Sequence, residues 1–279
     1  MDKVMIIGVF DFLGFHFCTA MLEQGFEVEG IHLKFNEKKS FTTEKKLEIG
    51  RNANFIETDI KRLNPSSFHL DQDSFIVVDV YDTYIKHNEE ALLELIPFNH
   101  PLFLEEIKQS RSKILFLLPI QLLLFDENKP ILKKFIQKIA DDDEIMSQLY
   151  YLPTVYGPWQ TNEFIFQQSL LKELNQKTVI EFEQRECTLD AIFIDDIVQE
   201  ILKECSEQKR TCQLFKSDIE NHWGKCASHL DIPNQFALRE DRLIPSEMLC
   251  YTISSKNTIE KAIEKQRKHL EYLVKYSLE

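Results

Sequence analysis

The sequence is poor in glycine and in basic residues. Of its 279 residues only 7 are glycine, and 33 lysines and arginines stand against 46 aspartates and glutamates, which gives a formal charge of −13. Nucleic-acid binding depends on clustered cations that release counterions from phosphates, and binding to an anionic membrane surface depends on the same kind of cluster. We therefore expect neither nucleic acid nor a membrane as a partner.

Long apolar runs are also missing. The longest run, residues 114–125, is interrupted by Pro119 and Gln121 and is far shorter than the roughly 20 residues that a membrane helix needs. The first residues lack the cationic start and apolar stretch of a targeting signal. Because 43% of the residues are hydrophobic and 21 are phenylalanine, we predict a soluble, cytoplasmic protein with a substantial core.

The six cysteines form no close pairs, so free thiols are expected. One group resembles a metal site on paper and consists of Cys205, Cys212, His222, Cys226 and His229. It lacks the tight pair of cysteines, two to four residues apart, with which structural zinc sites usually begin. We predict no metal site, and interpret these residues as small buried thiols and exposed histidines.

The first thirty or so residues have the pattern of a βαβ unit. Residues 3–8 are an apolar run that ends in Gly8, as expected for a strand buried on both faces. Apolar residues then recur at helical spacing from Gly14 to Gly25, and residues 26–33 return to strand character. Four of the seven glycines lie in this unit, which indicates that the backbone makes close contacts there.

Strands and helices continue to alternate downstream. Further strands are predicted at residues 54–58, 74–81, 113–118 and 148–155, and helices at 88–95, 101–110 and from Pro130 onward. This order predicts an α/β protein with a doubly wound parallel sheet. After Trp159 helices dominate, at residues 163–174, 197–205 and 257–276. We predict a domain of residues 1–158 and a smaller, mostly helical region of residues 159–279 that is interleaved with it.

Four motifs, in order along the chain, resemble those of one family. They are Gly-Val-Phe-Asp-Phe-Leu-Gly at 8–14, Thr-Val-Tyr-Gly-Pro at 154–158, Asp-Ala-Ile-Phe-Ile-Asp-Asp-Ile at 190–197 and Thr-Ile-Glu-Lys-Ala-Ile at 258–263. They are similar to the phosphate loop, the "N-V-Y-G-P" turn, the "D-F-V-Y-V-D-D-V" segment and the closing helix of the extended short-chain dehydrogenase/reductases, the NAD-dependent epimerase/dehydratase family of nucleotide-sugar enzymes. The resemblance implies a Rossmann-like dinucleotide-binding fold.

The resemblance also implies a set of cofactor-binding residues. They are Gly8, Phe10, Asp11, Phe12, Leu13 and Gly14 of the loop, Lys34 after strand two, Asp59 after strand three near adenine, and Lys134 as an anchor. Strand two ends without the acid that NAD binders place on the ribose, so any bound dinucleotide is expected to be NADP rather than NAD. Lys34 as a loop cation, Asp59 as a cap and Lys134 on a solvated helix face remain open as alternatives.

The catalytic residues of the family are not found. Its helix after strand five carries a Tyr and, four residues later, a Lys, and a Ser or Thr ends the strand. Here Pro130 stands at the tyrosine position and strand five is followed by Gln121. Asp11 replaces the middle glycine of the loop, where its carboxylate opposes a phosphate unless it turns outward and caps the helix. We predict weak or absent binding of NADP or NAD.

We therefore expect a non-catalytic protein that binds a nucleotide-like small molecule or a protein partner. The alternative is an active epimerase or reductase that uses another acid, for which Tyr81, Tyr84 and Tyr156 are candidates. Aromatic residues at 150, 151, 156 and 159 either line the cleft or pack in the core. Asp195 and Asp196 are interpreted as helix caps. The apolar stripe of Ile131, Phe135 and Ile139 permits a homodimer.

Overall fold

The computed structural model describes residues 3–33, 41–60, 70–72, 74–88, 100–124, 130–174, 179–205, 207, 209–233, 236 and 248–276. Its strands are β1 (Lys3–Ile7), β2 (Glu27–His32), β3 (Phe55–Asp59), β4 (Phe75–Asp79), β5 (Lys113–Pro119), β6 (Met146–Leu152), β7 (Thr154–Tyr156), β8 (Ala191–Phe193), β9 (Thr211–Ser217) and β10 (Leu249–Ile253). Its helices are α1 (Phe12–Glu23), α2 (Thr42–Ile49), α3 (Val80–Ile85), α4 (Pro101–Ser110), α5 (Gln121–Leu124), α6 (Pro130–Ala140), α7 (Ile165–Glu173), α8 (Ile194–Cys205), α9 (His222–His229) and α10 (Ile259–Tyr276).

Eight strands form one parallel sheet in the order β10-β9-β6-β5-β4-β1-β2-β3, and β7 and β8 form a second, two-stranded parallel sheet. The central strands are apolar along their whole length because helices cover both faces; every residue of β5 is buried. The order reverses at β1, from which the chain runs first toward β3 and then back toward β10. The predicted Rossmann-like, doubly wound fold is confirmed.

Two predicted strands end earlier than the sequence pattern indicates. The strand predicted for residues 74–81 stops at Asp79, because the Asp79 carboxylate caps α3 by accepting the Asp82 N–H at 3.0 Å. The strand predicted for residues 148–155 stops at Leu152, because Pro153 has no N–H for the ladder. Residues after Pro153 pair with β8 instead.

Three other predictions of helix position have different outcomes. Helix α4 has the predicted bounds. Helix α8 begins at Ile194, so Asp195 and Asp196 lie in its first turn and the prediction that they cap it is wrong. The helix predicted for residues 88–95 lies outside the described residues, except for Asn88, which is not helical.

The chain after residue 158 adds strands to the main sheet. Strand β9 pairs with β6, and β10 pairs with β9 at the edge. The division at residue 158 remains a prediction. In the part of the chain described above, no helix is long and apolar enough to span a bilayer.

The apolar stripe on α6 faces the protein's own sheet. Phe135 and Ile139 are buried, and the ring of Phe135 lies 6.5 Å from that of Phe116 on β5. The side chain of Ile131 lies outside the described residues. The stripe therefore packs within one chain. Homodimer formation remains a prediction, which this stripe does not support.

Candidate functional site

The loop between β1 and α1 has the tight geometry that the phosphate-loop motif predicts. Gly8 adopts a φ of 89°, and its N–H donates to the Ile31 carbonyl at 3.0 Å. At Gly14 an added Cβ would lie 2.1 Å from the Gly8 carbonyl oxygen, so only glycine fits there. The loop lies at the carboxyl end of β1, where the strand order reverses and where doubly wound folds bind ligands.

The amides at the start of α1 are bonded to carboxylates of the protein itself. Leu13 N–H donates to Asp82 Oδ2 and Gly14 N–H donates to Asp79 Oδ2, each at 2.9 Å. Both aspartates are 0% exposed. Free amides at a helix N-terminus are what a phosphate group binds in this kind of fold. Here Asp79 and Asp82 already accept the hydrogen bonds of these two amides.

Asp11 forms an ion pair and does not cap α1. It occupies the N-cap position, but its side chain makes no capping hydrogen bond. Its Oδ1 accepts a hydrogen bond from Lys86 Nζ at 2.5 Å. The capping interpretation of Asp11 is therefore wrong, because Lys86 at the end of α3 offers the carboxylate a charged partner and Asp79 and Asp82 already bond amides of α1.

A second lysine lies against the loop backbone. Lys45 on α2 donates from Nζ to the Phe10 carbonyl at 2.8 Å and to the Asp11 carbonyl at 3.2 Å. Burial, together with the charge of Lys86, lowers the pKa of Lys45 to about 8. Five ionisable groups thus surround the loop, and we call Asp11, Asp79, Asp82, Lys45 and Lys86 the loop charge cluster.

The pKa values in this cluster reflect burial and mutual interaction. Burial, and then the charges of Asp82 and Asp11, raise the pKa of Asp79 well above its usual value. Burial would lower the pKa of Lys86, but Asp11 and Asp82 outweigh it and raise that pKa. Such shifts are typical of ionisable groups taken out of water in close contact.

The remaining predicted cofactor residues are dispersed. Asp59 ends β3 and pairs in register with His32 of β2, two strands from β1. Lys134 is exposed on α6, which packs against β6. That strand is three positions from β1, or roughly 14 Å at about 4.8 Å per strand. Lys34 lies outside the described residues. The roles predicted for Asp59, Lys34 and Lys134 therefore stay predictions.

Asp79, Asp82, Lys45 and Lys86 were not among the site residues predicted from the sequence. One signal was available for three of them, because two acids and a lysine follow a buried strand at helical spacing, as Asp79, Asp82 and Lys86. Polar residues directly after a parallel strand lie at the edge where ligands bind. Lys45 gave no local signal, since its contacts depend on how α2 packs.

The segment around Arg185 is bonded to residues that follow β4 and β5. Gln121, which directly follows β5 and Ile120, donates from Nε2 to the Arg185 carbonyl. Arg185 Nη1 donates to the Tyr84 carbonyl at 2.7 Å, and its guanidinium lies 4.7 Å from the Tyr84 ring centroid. These contacts tie the segment around Arg185 to α3 and α5, at the carboxyl ends of β4 and β5.

The candidate substitute acids are engaged in packing. The Tyr81 hydroxyl donates to the Pro153 carbonyl and accepts the Val155 N–H, both at 3.0 Å. The Tyr156 hydroxyl lies 3.1 Å from His222 Nε2. Burial raises the pKa of Tyr81, Tyr84 and Tyr156. Proton transfer near neutral pH needs the opposite shift.

The aromatic residues after β6 are mostly core residues. Tyr150, Tyr156 and Trp159 are buried, and Tyr151 is partly buried. The hypothesis that they line an open cleft is thus wrong for the three buried residues. Among the residues that the structure describes, no group of three or more histidines, cysteines, aspartates and glutamates is placed to hold a metal ion.

Solved structures of the same architecture cover nearly the whole chain. UDP-glucuronic acid 4-epimerase from Bacillus cereus, in complex with NAD, superposes with a TM-score of 0.69 at 14% identity, over 97% of this chain and 99% of that one. UDP-glucose 4-epimerase from Thermotoga maritima, with UDP-glucose, gives 0.67 at 15% identity, over 98% and 99%. This chain has the fold of the nucleotide-sugar epimerases. A dTDP-glucose 4,6-dehydratase from Bacillus anthracis, in complex with NAD, gives 0.65 at 12% identity, over 99% and 98%.

The epimerase fold agrees with what the four sequence motifs imply. No family model and no curated protein sequence matches the chain. At identities this low the likeness concerns the fold, and fold alone does not determine chemistry. The contacts of the loop charge cluster therefore bear on function more directly than the fold does.

Proposed function

We propose that this protein is a divergent member of the epimerase/dehydratase family that transfers no hydride and acts by binding a ligand or a protein partner. The observation that carries the proposal is the pairing of Leu13 N–H and Gly14 N–H with Asp82 and Asp79. A pyrophosphate would have to displace both carboxylates to reach these amides. A phosphate charge about 4 Å from one of these ionised carboxylates would be repelled by roughly 4 kcal/mol at an effective dielectric constant of about 20.

The lysines of the loop charge cluster do not offset this repulsion. With all three aspartates ionised, two lysines leave the cluster with an excess negative charge. With Asp79 protonated, as its raised pKa favours, the two lysines only balance Asp11 and Asp82. In neither state is a cation left over to attract a diphosphate. With all three aspartates ionised, a penalty of about 4 kcal/mol corresponds to roughly a thousandfold loss of affinity.

Titration of the protein with NAD and with NADP tests the proposal. Isothermal calorimetry is expected to show no saturable binding of either dinucleotide below about 1 mM, for the electrostatic reason given above. ADP, which carries the same diphosphate, is expected to behave in the same way. Saturation at micromolar concentration would overturn the proposal, and so would oxidation or reduction of the nicotinamide with a nucleotide sugar.

The alternative function, an epimerase or reductase with a substitute acid, is supported by the fold of the neighbours, whose solved complexes contain NAD. Its candidate acids, Tyr81, Tyr84 and Tyr156, are engaged in the packing contacts described above. Tyr81 is the most constrained, because its hydroxyl is bonded on both sides to backbone groups of the Pro153 turn.

Replacing Tyr81 by phenylalanine is expected to affect stability rather than turnover. The change leaves the Val155 N–H and the Pro153 carbonyl without their partner, which costs about 1–3 kcal/mol. Urea unfolding of Tyr81→Phe measures this loss, and Tyr272→Phe, at a residue that is 60% exposed, serves as the matched control. A Tyr81→Phe protein as stable as its parent would contradict the structural role.

A further inference from the structure

The turn that follows β7 holds a bulky residue in a strained conformation. Gly157, Pro158 and Trp159 form this turn, and we call it the Trp159 turn. Trp159 has a φ of 66° and is buried. Left-handed backbone is unfavourable for a residue as large as tryptophan, and it persists only where the surrounding contacts determine it. Loss of those contacts would therefore release the turn.

Two histidines from distant helices bind the backbone of the Trp159 turn. The Trp159 N–H donates to Nδ1 of His269 on α10 at 3.4 Å, and the two rings lie 4.3 Å apart between centroids. On α1, Nε2 of His16 lies 2.8 Å from the Pro158 carbonyl oxygen and donates to it. Nδ1 of His269 can accept a hydrogen bond only when it carries no proton. The contact between the turn and α10 therefore requires a neutral His269.

Protonation of His269 would turn this acceptor into a donor. A charged imidazole carries hydrogen on both nitrogens, so its Nδ1–H would face the Trp159 N–H with no acceptor between them. Nε2 of His269 is already buried with no hydrogen-bond partner among the residues that the structure describes. Burial, and then the charges of His16 and Lys45, lower the pKa of His269 to about 4. Geometry and burial thus both oppose the charged form.

The charged side chains nearest the turn do not neutralise a protonated His269. On α2, Nζ of Lys45 lies 5.6 Å from the Trp159 ring centroid and has the same sign of charge. Glu48, also on α2, accepts a hydrogen bond from the Trp159 side chain. Asp195 on α8 acts on His16. Neither acid raises the pKa of His269.

Two further ion pairs join α10 to its neighbours. Lys265 is paired with Asp195 on α8 at 3.2 Å, and Arg267 is paired with Glu173 on α7 at 3.0 Å. Both pairs lie at exposed or partly exposed side chains, where such pairs contribute little to stability. The acids of these pairs are therefore committed to other cations, and α10 depends on its buried contacts to stay in place.

We propose that the Trp159 turn is an acid-sensitive contact, in which protonation of His269, beside His16, releases the turn from α10 while the parallel sheet stays folded. Once the turn is released, His269 is in water and takes up a proton at its ordinary pKa of 6.5. Opening is therefore suppressed above pH 6.5 and becomes easier as the pH falls toward 4. The equilibrium constant for opening rises by up to roughly a hundredfold over that range.

The test uses the full chain labelled with 5-fluorotryptophan and observed by fluorine NMR. The chain has two tryptophans, and Trp159→Phe identifies the resonance of Trp159 by its loss. Trp223 is 0% exposed and reports global unfolding. Solvent exposure of each ring is measured as the change in its resonance between light and heavy water. As the pH falls from 7 to 4, Trp159 is expected to become exposed before Trp223 does.

Replacing His269 by glutamine separates local opening from global unfolding. The glutamine carbonyl still accepts from the Trp159 N–H and takes up no proton, so in His269→Gln both tryptophans are expected to become exposed together. His229→Gln, at an exposed residue of α9, is the matched control and should behave like the parent.

The measurement on the parent protein needs no variant that has to fold. The proposal is overturned if Trp159 in the parent gains no exposure ahead of Trp223. It is equally overturned if a His269→Gln protein that is folded at pH 7 exposes Trp159 at the same pH as the parent. Neither result bears on dinucleotide binding, which the titrations with NAD and NADP test separately.

Discussion

Replacing Asp79 and Asp82 together by alanine is expected to lower the free energy of unfolding by roughly 3–6 kcal/mol. The double change leaves three buried N–H groups, those of Leu13, Gly14 and Asp82→Ala, without acceptors, and each such loss costs about 1–3 kcal/mol. Relief of the repulsion between the two acids offsets part of this cost. Urea unfolding at neutral pH measures the difference.

The same variant is expected to gain an anion site. With both carboxylates removed, the start of α1 presents free amides, and Lys45 and Lys86 lose two of their counterions. Inorganic pyrophosphate should then stabilise the variant by about 2.7 kcal/mol at a hundredfold excess over its dissociation constant. The parent should show no such stabilisation.

Asp143→Ala is the matched control for this rescue. Asp143 is an exposed partner of Arg210 at 2.6 Å and lies outside the loop charge cluster, and exposed ion pairs contribute little to stability. Pyrophosphate is not expected to change the melting temperature of the Asp143→Ala protein. If the folded double variant gains nothing from pyrophosphate, the carboxylates of Asp79 and Asp82 are not substitutes for a phosphate.

Acidification from pH 7 to pH 4 is expected to remove roughly 6 kcal/mol of stabilisation that three buried histidines contribute. Burial lowers the pKa of His16, His222 and His269 from 6.5 to about 4. A histidine with a lowered pKa in the folded state stabilises the protein above pH 6.5, and this contribution is lost as the pH falls toward 4. At 1.36 kcal/mol per pKa unit, and with allowance for partial exposure, each contributes roughly 2 kcal/mol.

Buried carboxyl groups with a raised pKa work in the opposite direction, and Asp79, Asp82 and Asp190 are among them. Burial raises the pKa of Asp190 from 3.8 to about 6, so this group destabilises the folded state above pH 6 and the destabilisation disappears as the pH falls toward 4. Protonation of Asp190 recovers roughly 2 kcal/mol of the 6 kcal/mol of stability that protonation of the three histidines removes. The raised pKa values of Asp79 and Asp82 offset a further part of the loss from the histidines.

Urea unfolding at a series of pH values measures this dependence. His222 bonds to Tyr156 and to Ser217 Oγ at 2.7 Å, so His222→Asn is expected to cost stability at pH 7 and to flatten the pH profile. The exposed His229 supplies the control, since His229→Asn should leave the slope unchanged. A His222→Asn profile as steep as the parent's would show that this histidine is not buried in its neutral form.

The fold was predictable because its signals are local. The apolar run before Gly8 and the spacing of Gly8 and Gly14 predict β1, its turn and α1, and the structure contains them. The end of β4 was not predictable from the same kind of signal. Val80 and Tyr81 favour a strand by propensity, but the Asp79 cap begins a helix there.

The site was predictable only in part because its contacts are long-range. Asp11 stood out in the loop motif, whereas its partner Lys86 is 75 residues away in the sequence. Asp79 and Asp82 reach α1 across more than sixty residues. Periodicity and spacing describe neighbours along the chain, and they do not show which side chains converge at the edge of the sheet.

The loop charge cluster has a consequence for how this lineage can change. Removing any one of the five groups leaves an opposite charge, a backbone N–H or, for Lys45, two backbone carbonyls without a partner, which is among the more damaging kinds of single substitution. Under the proposed function, tight dinucleotide binding would need several coordinated replacements, with unstable intermediates between them. We therefore expect natural selection to keep all five residues of the loop charge cluster or to lose them together. In related sequences the five positions should change together.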